Sequence, residues 1–222
     1  MTDCKLTAVI PIRQGSKRVK NKNFRPFADS SLLKLKIETL QKLKGIDSIV
    51  VNTDSETAIS IAKEYGVEYF KREDYFASSI CSGSEFFRNL ADTTDSEYIM
   101  HSPCTAPLVT VETYQTLIDL FLSNKDSFDS FNTVAKVHEY LWKDGKPLNY
   151  SIENAPNSQD LPDVFKITFG ASIIRKTDMQ KYKNIVGKNP LFHKVSEVES
   201  VDIDTLVDFR FAEYLYKEKL NG

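Results

Sequence analysis

The sequence has little cysteine, little net charge and no long apolar run, and each absence excludes a class of protein. It contains 3 cysteines in 222 residues, and Cys4, Cys81 and Cys104 show no C-x-x-C spacing. An odd number of cysteines without that spacing supports neither a disulfide framework nor a structural zinc site. A reducing cytoplasm is therefore the expected compartment.

The charge balance is close to neutral, with 29 Lys and Arg against 31 Asp and Glu and a formal net charge of -2. We therefore expect no nucleic-acid or membrane partner of the kind that a strongly basic protein has. No apolar run approaches the about 18 residues that cross a bilayer, and no export signal is evident. Because 41% of the residues are hydrophobic, we expect one soluble domain over residues 1–222 with a sizeable core.

Short apolar runs alternate with helical patterns along most of the chain. The predicted strands are residues 6–12, 48–52, 67–70, 98–101, 131–137 and 170–175, and the predicted helices are 31–43, 55–65, 111–122 and 205–220. Nearly continuous apolar strands are typical of a parallel sheet that is covered on both faces. The sequence therefore predicts an α/β fold, in which ligands bind at the carboxyl ends of the strands.

Residues 138–165 differ from the rest because they show little periodicity and contain several turn residues, among them Asp144-Gly145 and Pro147. This stretch also carries the apolar side chains of Tyr140, Leu141, Trp142 and Leu148. A monomer core explains such a segment poorly, so we interpret it as an insertion or an arm that packs on a second subunit or contributes to the substrate site.

A basic loop follows the first predicted strand, since residues 13–25 hold six basic residues and no acid. Backbone N–H groups near Gly15 and Ser16 are suited to an anion-binding nest, and basic side chains to phosphate oxygens. The position predicts a phosphate-binding loop, because α/β folds place nucleotide phosphates after the first strand. The G-x-x-x-x-G-K-[ST] spacing of a P-loop ATPase is absent. A solvated loop or an arm for nucleic acid remains the alternative.

A second candidate feature is Asp202-Ile203-Asp204, in which two acids stand two residues apart. In a strand this spacing places both carboxylates on one face, where they could hold a hard cation such as Mg²⁺ together with phosphate oxygens. The alternative is helix capping, because Asp204 or Thr205 precedes the last predicted helix and Asp208 follows three residues after Thr205.

Three further residues have two interpretations each, and a fourth is excluded from catalysis. Asp54 could face the cleft or cap the helix from Ser55. His101 could bind substrate or be a satisfied structural histidine, and Arg72 could be a ligand or a surface residue. Cys104 shows no His and Asn partnership in the sequence, so a thiol nucleophile is not expected.

Several motifs along nearly the whole chain resemble those of the acylneuraminate cytidylyltransferases, the CMP-sialic acid synthetase family. They are Ile-Pro-Ile-Arg-Gln-Gly-Ser-Lys at 10–17, Lys-Asn at 22–23, Asn-Thr-Asp at 52–54, Ala-Pro-Leu at 106–108, Gln-Asp-Leu-Pro at 159–162 and Ser-Val-Asp-Ile-Asp-Thr at 200–205. The resemblance implies a Rossmann-like nucleotidyltransferase fold and a homodimer. It also implies an enzyme that joins CTP to a small acidic keto-sugar with Mg²⁺, giving pyrophosphate and a CMP-sugar for surface polysaccharide biosynthesis.

The resemblance also implies roles for individual residues. The nucleotide would be held by Arg13, Gly15, Ser16, Lys17, Lys22, Asn23 and Arg72, and catalysis would rest on Lys22, Arg13 and Asp202. The metal would be held by Asp202 and Asp204, and the sugar by His101, Thr105, Gln159, Asp160 and Lys166. Such a division suits phosphoryl-type transfer, which depends mostly on positioning and on neutralising charge.

Two departures from the family pattern concern the sugar. Residues 101–109 are longer than the family's Q-P-T-S-P-L-R and lack its Gln and Arg, and Lys166 stands where the family has Arg. An ammonium does not grip a carboxylate bidentately as a guanidinium does. We therefore expect N-acetylneuraminate to be a poor substrate. A glycosyltransferase that uses Asp202 and Asp204 as its metal motif is the alternative enzyme.

Overall fold

The computed structural model describes residues 4–16 and 18–221. Its strands are β1 (Leu6–Ile12), β2 (Pro26–Phe27), β3 (Ser30–Ser31), β4 (Ser48–Thr53), β5 (Glu68–Lys71), β6 (Tyr98–His101), β7 (Ser130–Val137), β8 (Trp142–Lys143), β9 (Lys146–Pro147), β10 (Val164–Arg175) and β11 (Pro190–Lys194). Its helices are α1 (Leu32–Leu40), α2 (Glu56–Glu64), α3 (Asp74–Ala77), α4 (Gly83–Asp92), α5 (Val111–Asn124), α6 (Lys176–Tyr182) and α7 (Leu206–Asn221), with a 3-10 turn at Ser158–Asp160.

Seven strands form one sheet in the order β11-β7-β10-β6-β1-β4-β5. Strand β1 lies in the centre and pairs in parallel with β4 and β6, while β10 is antiparallel to both of its neighbours. The parallel strands β1, β4, β5 and β6 therefore end at the same edge of the sheet. Their carboxyl ends flank β1, where such folds bind ligands.

Helices cover both faces of the sheet because β1 is apolar on both sides. Ala8 and Ile10 pack in the larger hydrophobic cluster with α1, α2, α5 and α7, whereas Val9 packs in a second cluster with α4 and α6. Successive side chains of a strand point to opposite faces, so the two clusters lie on opposite sides. The predicted mostly parallel α/β sheet with helices on both faces is confirmed.

The structure corrects some predicted bounds. Strand β10 begins at Val164, six residues before the predicted start at Gly170, and it includes the last two residues assigned to the arm. Residues 202–204 are not in a strand, so strand alternation does not explain how the two acids are arranged. Helices α3, α4 and α6 and strand β11 were not predicted.

Between β7 and β10 the chain forms the small hairpin β8-β9, in which Trp142 faces Pro147. Tyr140, Trp142 and Leu148 are exposed by 42%, 53% and 59%, whereas Leu141 is half-buried. The apolar exposure expected of the arm is therefore present at three of its four residues. Within the described residues, no helix is long and apolar enough to cross a membrane.

Candidate active site

The segments that follow β1, β5 and β6 enclose a cavity of about 320 Å³ at the carboxyl edge of the sheet. This volume lies in the range of small-molecule pockets. The predicted site residues that line it are Arg13, Ser16, Lys22, Asn23, Arg72, Thr105 and Asp204. They come from distant parts of the sequence, and the fold brings them together.

The basic loop after β1 is held by a carboxylate from the neighbouring strand. The backbone N–H of Gln14 donates to Asp54 Oδ1 at 2.7 Å, and Gly15 follows with a φ of +78°, which favours glycine. Ser55, not Asp54, caps α2, because its side chain accepts from the N–H of Ala58. The capping interpretation of Asp54 is wrong, and this residue instead supports the loop. Lys17 lies outside the described residues.

Arg72 is a buried residue of the site and not a surface residue. It is 5% exposed, its Nε donates to Asn52 Oδ1 at 2.6 Å, and its Nη2 donates to the carbonyl oxygen of Ile12 at 2.8 Å. Burial lowers the pKa of Arg72 to about 10, and the charge of Asp54 opposes this shift. Arg72 therefore presents a fixed positive charge to the cavity at neutral pH.

Lys22 connects the basic loop to the acidic segment near the C-terminus. Its Nζ donates to the carbonyl oxygen of Ile203 at 2.5 Å. Burial lowers the pKa of Lys22, whereas the nearby charges of Asp202 and Asp204 raise it. The same ammonium thus lies beside both acids and lines the cavity.

The carboxylate of Asp204 does not cap α7, because other residues do. Asp208 Oδ2 accepts from the N–H of Thr205 at 2.6 Å, and the Thr205 hydroxyl oxygen accepts from the N–H of Asp208 at 3.3 Å, which is a reciprocal capping arrangement. The capping interpretation therefore holds for Thr205 and Asp208. Asp204 instead forms an ion pair with Arg18, with 2.7 Å between Nη2 and Oδ1.

The two acids fit a hard cation. Burial raises the pKa of Asp202, and a hydrogen bond from the Thr105 side chain lowers it. Its Oδ1 is buried with no hydrogen-bond partner among the described residues, which leaves a carboxylate oxygen to be satisfied. Together with the carboxylate of Asp204, this oxygen offers the kind of ligands that Mg²⁺ prefers.

His101 lies beneath the cavity and is not among its lining residues. It is 4% exposed, its ring meets the ring of Phe87 with 5.6 Å between centroids, and it faces Ser172 across the β6-β10 pair. Burial lowers the pKa of His101 to about 4, and the charges of Arg72 and Lys36 contribute. Within the described ranges its Nδ1 has no hydrogen-bond partner, which leaves one ring nitrogen of this buried residue unsatisfied.

Cys104 lines the cavity but is 2% exposed. Burial raises the pKa of its thiol to about 12. The thiol is therefore protonated at neutral pH, and a neutral buried thiol is a poor nucleophile. This agrees with the expectation from the sequence.

The remaining predicted sugar residues lie away from the cavity of their own chain. Gln159 and Asp160 are exposed in the 3-10 turn of the arm, and Lys166 is exposed on β10 opposite Ala135. None of the three lines the cavity, so their roles stay predictions.

Sequence reasoning missed one wall of the cavity, which is formed by α3 and the start of α4. Ser82 caps α4, with its oxygen accepting from the N–H of Glu85 at 3.2 Å and Glu85 Oε2 accepting from the N–H of Ser82 at 2.9 Å. The Ser-x-x-Glu spacing of a capping box was visible in the sequence and indicates this helix start. Ser82 and Gly83 line the cavity, so the positive end of the α4 dipole is close to it.

Comparison with known proteins identifies the family. A family model described as Cytidylyltransferase matches residues 7–158, more than half of the chain. The chain belongs to this family and is a CTP-dependent nucleotidyltransferase. The resemblance to the acylneuraminate cytidylyltransferases is thereby confirmed.

Curated relatives agree with this assignment. The chain is 27% identical over 230 residues to post-translational flagellin modification protein B of Campylobacter coli, covering 96% of each protein. It is 27% identical to the N-acylneuraminate cytidylyltransferase of Escherichia coli O18:K1:H7, covering 97% of this chain and 53% of that protein. It is 26% identical to the pseudaminic acid cytidylyltransferase of Campylobacter jejuni, covering 94% and 95%.

Solved structures show the same fold. The structure of CMP:2-keto-3-deoxy-manno-octonic acid synthetase complexed with CTP superposes with a TM-score of 0.70 at 13% identity. The match covers 97% of this chain and 99% of the other.

Proposed function

We propose that the protein transfers CMP from CTP to an acidic keto-sugar of the nonulosonic class, giving a CMP-sugar and pyrophosphate for surface polysaccharide biosynthesis. The observation that carries the proposal is the convergence of Arg13, Ser16, Lys22 and Arg72 with Asp204 on one cavity. Relatives named for N-acylneuraminate, pseudaminic acid and N,N'-diacetyllegionaminic acid support this class of sugar.

The basic loop would bind the triphosphate. The cavity receives positive charge from Arg13, Arg18, Lys22 and Arg72 and is also close to the positive end of the α4 dipole. Backbone donors near Gly15 and Ser16, with Lys17, would complete the phosphate site, and Asn23 would belong to the nucleotide site. Such fixed positive groups stabilise charge without reorganising during the reaction.

The reaction would be an in-line displacement at the α-phosphorus. The anomeric hydroxyl of the sugar would form the new P–O bond and give its proton to water, and the bond between the α-phosphorus and the bridging oxygen would break to release pyrophosphate. Lys22 lies between the basic loop and the acidic segment, which suits it to meet negative charge that grows on the phosphate oxygens. Arg13 would hold the same group in place from the other end of the loop.

Asp202 and Asp204 would hold Mg²⁺. When bound, the ion would neutralise negative charge on the phosphates. Asp204 would exchange its ion pair with Arg18 for this role, and Arg18 would then be free to meet a phosphate. After this exchange, Asp204 would contact the cation and Arg18 would contact a phosphate, so each keeps a partner of opposite charge.

The sugar would lie in the part of the cavity that Thr105 lines. The neutral, buried His101 would support this part of the site from within, because its unpartnered Nδ1 can hydrogen-bond a water molecule or a polar group of the substrate. Because Gln159, Asp160 and Lys166 lie away from their own cavity, we infer that they meet the sugar in a homodimer. The exposed apolar residues of the arm would form its contact, and the enzyme would act in the cytoplasm.

A glycosyltransferase and a nucleic-acid-binding protein are the alternatives from the sequence. The match to the cytidylyltransferase family favours neither. In addition, the basic loop lines a cavity of small-molecule size together with the buried Arg72. Nucleotidyl transfer to a small molecule is the function that both observations support.

The proposal is tested by incubating the protein with CTP, Mg²⁺ and a panel of keto-sugars that includes N-acetylneuraminate, pseudaminic acid and legionaminic acid derivatives. We expect pyrophosphate release and a CMP-sugar, identified by mass, with at least one of them, and a low kcat/KM for N-acetylneuraminate. Transfer of sugar from a nucleotide sugar to an acceptor, without pyrophosphate release from CTP, would support the glycosyltransferase instead.

A further inference from the structure

Lys36 is a buried lysine on α1 that the roles given above do not include. It is 3% exposed, and its Nζ donates to the carbonyl oxygen of Ala106 at 3.1 Å and to the hydroxyl of Tyr114. No carboxylate forms an ion pair with it within the described ranges. A buried ion without a counter-ion has an effective desolvation cost of several kcal/mol, so its retention here points to a specific use of its hydrogen bonds.

Tyr114 connects Lys36 to strand β10. Its hydroxyl donates to the carbonyl oxygen of Gly170 at 2.9 Å, and Gly170 follows Phe169, whose φ of +55° is rare for a bulky residue. The residue pair Lys36 and Tyr114 therefore joins α1 and α5 to the loop after β6 and to the irregular turn in β10.

From Ala106 the hydrogen bonds continue into the acidic segment. The preceding residue, Thr105, accepts at its carbonyl oxygen from the N–H of Ile203 at 2.8 Å. The side chain of Thr105 hydrogen-bonds Asp202, and the carbonyl oxygen of Ile203 accepts from Lys22. The fold thus contains an unbroken series of bonded groups from buried Lys36 to the two residues that carry most of the proposed chemistry.

We propose that Lys36 and Tyr114 are positioning residues that fix residues 105–106 and thereby set the place of Asp202 and Lys22. This inference rests on the proposed function for its catalytic meaning but makes its own structural prediction. Loss of Lys36 leaves the buried carbonyl oxygen of Ala106 without its donor. Loss of the Tyr114 hydroxyl removes the acceptor that orients the Lys36 ammonium, so either change loosens the loop to which the 202–204 segment is bonded. Outer groups that orient metal ligands typically change metal affinity or activity by about 10- to 100-fold when removed.

The first test needs no ligand. In Lys36→Met and Tyr114→Phe, the amide of Ile203 should exchange its hydrogen about 10-fold faster than in the unmodified protein, because its acceptor on Thr105 is no longer held. The amide of Arg72, which donates to the Thr53 carbonyl at 2.7 Å elsewhere in the site, should keep its rate. Lys34→Met is the matched control on the same helix, since Lys34 pairs with Glu64 at the surface and has no bond to the loop.

The second test measures the affinity for CTP by calorimetry, with Mg²⁺ and with excess EDTA. Both variants should weaken binding in Mg²⁺ about 10-fold and binding in EDTA much less, because the loop positions the metal ligands. Tyr114→Phe keeps the test decisive if Lys36→Met does not fold. An unchanged exchange rate at Ile203 in a folded variant overturns the positioning role, as does an equal loss of affinity with and without metal. Failure of the unmodified protein to bind CTP would instead overturn the proposed function.

Discussion

The ammonium of Lys22 lies 2.5 Å from the carbonyl oxygen of Ile203, its hydrogen-bond acceptor, although 181 positions separate the two residues in the sequence. This bond joins the loop after the first strand to the acidic segment before the last helix. The basic loop and Asp204 therefore line the same cavity. Under the proposed function, this proximity would give a nucleotide triphosphate and its metal a common site.

Asp202→Asn should lower kcat by about 100-fold or more, because a charged metal ligand contributes several kcal/mol to charge stabilisation. Asp204→Asn should also reduce turnover, and its interpretation is simple because Thr205 and Asp208 cap α7. Steady-state kinetics at several Mg²⁺ concentrations measure both effects. Asp126→Asn, at an exposed carboxylate far along the surface, is the control. An unchanged kcat in a folded Asp202→Asn protein would return this residue to a structural role.

Lys22→Ala should lower kcat about 100-fold while it weakens CTP binding only several-fold. The reason is that Lys22 is placed to meet charge that develops during transfer rather than charge already present on CTP. Comparison of kcat with the dissociation constant for CTP separates the two contributions, and Lys42→Ala at the surface is the control. A change confined to KM would show that Lys22 binds the ground state and the transition state equally.

The buried His101 should make stability depend on pH in the acid range. Its folded pKa of about 4 lies below the ordinary value of 6.5, so the unfolded chain binds more protons between these values. The stability that the neutral His101 contributes is fully present above pH 6.5 and is lost as the pH falls towards 4. The free energy of unfolding should therefore decrease by about 2 kcal/mol between pH 7 and pH 5.

Denaturant unfolding of the protein and of His101→Gln across this pH range measures the effect. The variant should lose less stability than the unmodified protein on going from pH 7 to pH 5. Parallel pH profiles for the two proteins would show that folding does not lower the pKa of His101.

The arm should make the protein a dimer at micromolar concentration. Sedimentation should give about twice the chain mass of 25.3 kDa, because Trp142 and Leu148 expose apolar area that a second copy would cover. The double variant Trp142→Glu and Leu148→Glu should sediment as a monomer with an unchanged far-ultraviolet spectrum. If the unmodified protein sediments as a monomer, dimerisation does not explain the exposed apolar residues of the arm.

Much of the fold could be predicted because buried parallel strands leave a strong local signal. Strand β1 was predicted with both of its ends correct, since seven consecutive residues of a doubly covered strand are mostly apolar. Strand β10 was recognised only from Gly170 onward. Its first half does alternate apolar and polar residues from Phe165 to Phe169, but it directly follows the turn residues of the arm, and the register is irregular between Ile167 and Ser172.

The site could be predicted from the sequence where its residues lie in one segment. It could not be predicted where the fold brings distant residues together. The basic loop and the two acids stand out in the sequence, but their contact through Lys22 and Ile203 depends on long-range packing. Burial of Arg72 also depends on the surrounding strands, and the sequence alone left a surface position open. Lys36 gave no signal at all, because a lysine on a predicted helix is usually exposed.

Under the proposed function, the cavity after β1 binds CTP and supports its metal-dependent transfer. The most direct measurement is pyrophosphate release in the presence of an accepted keto-sugar, with each of the four ribonucleoside triphosphates, in Mg²⁺ and in excess EDTA. We predict release with CTP well above that with ATP, GTP or UTP, no release without the sugar, and loss of activity in EDTA. Equal turnover with all four nucleotides, or full activity in EDTA, would contradict the account.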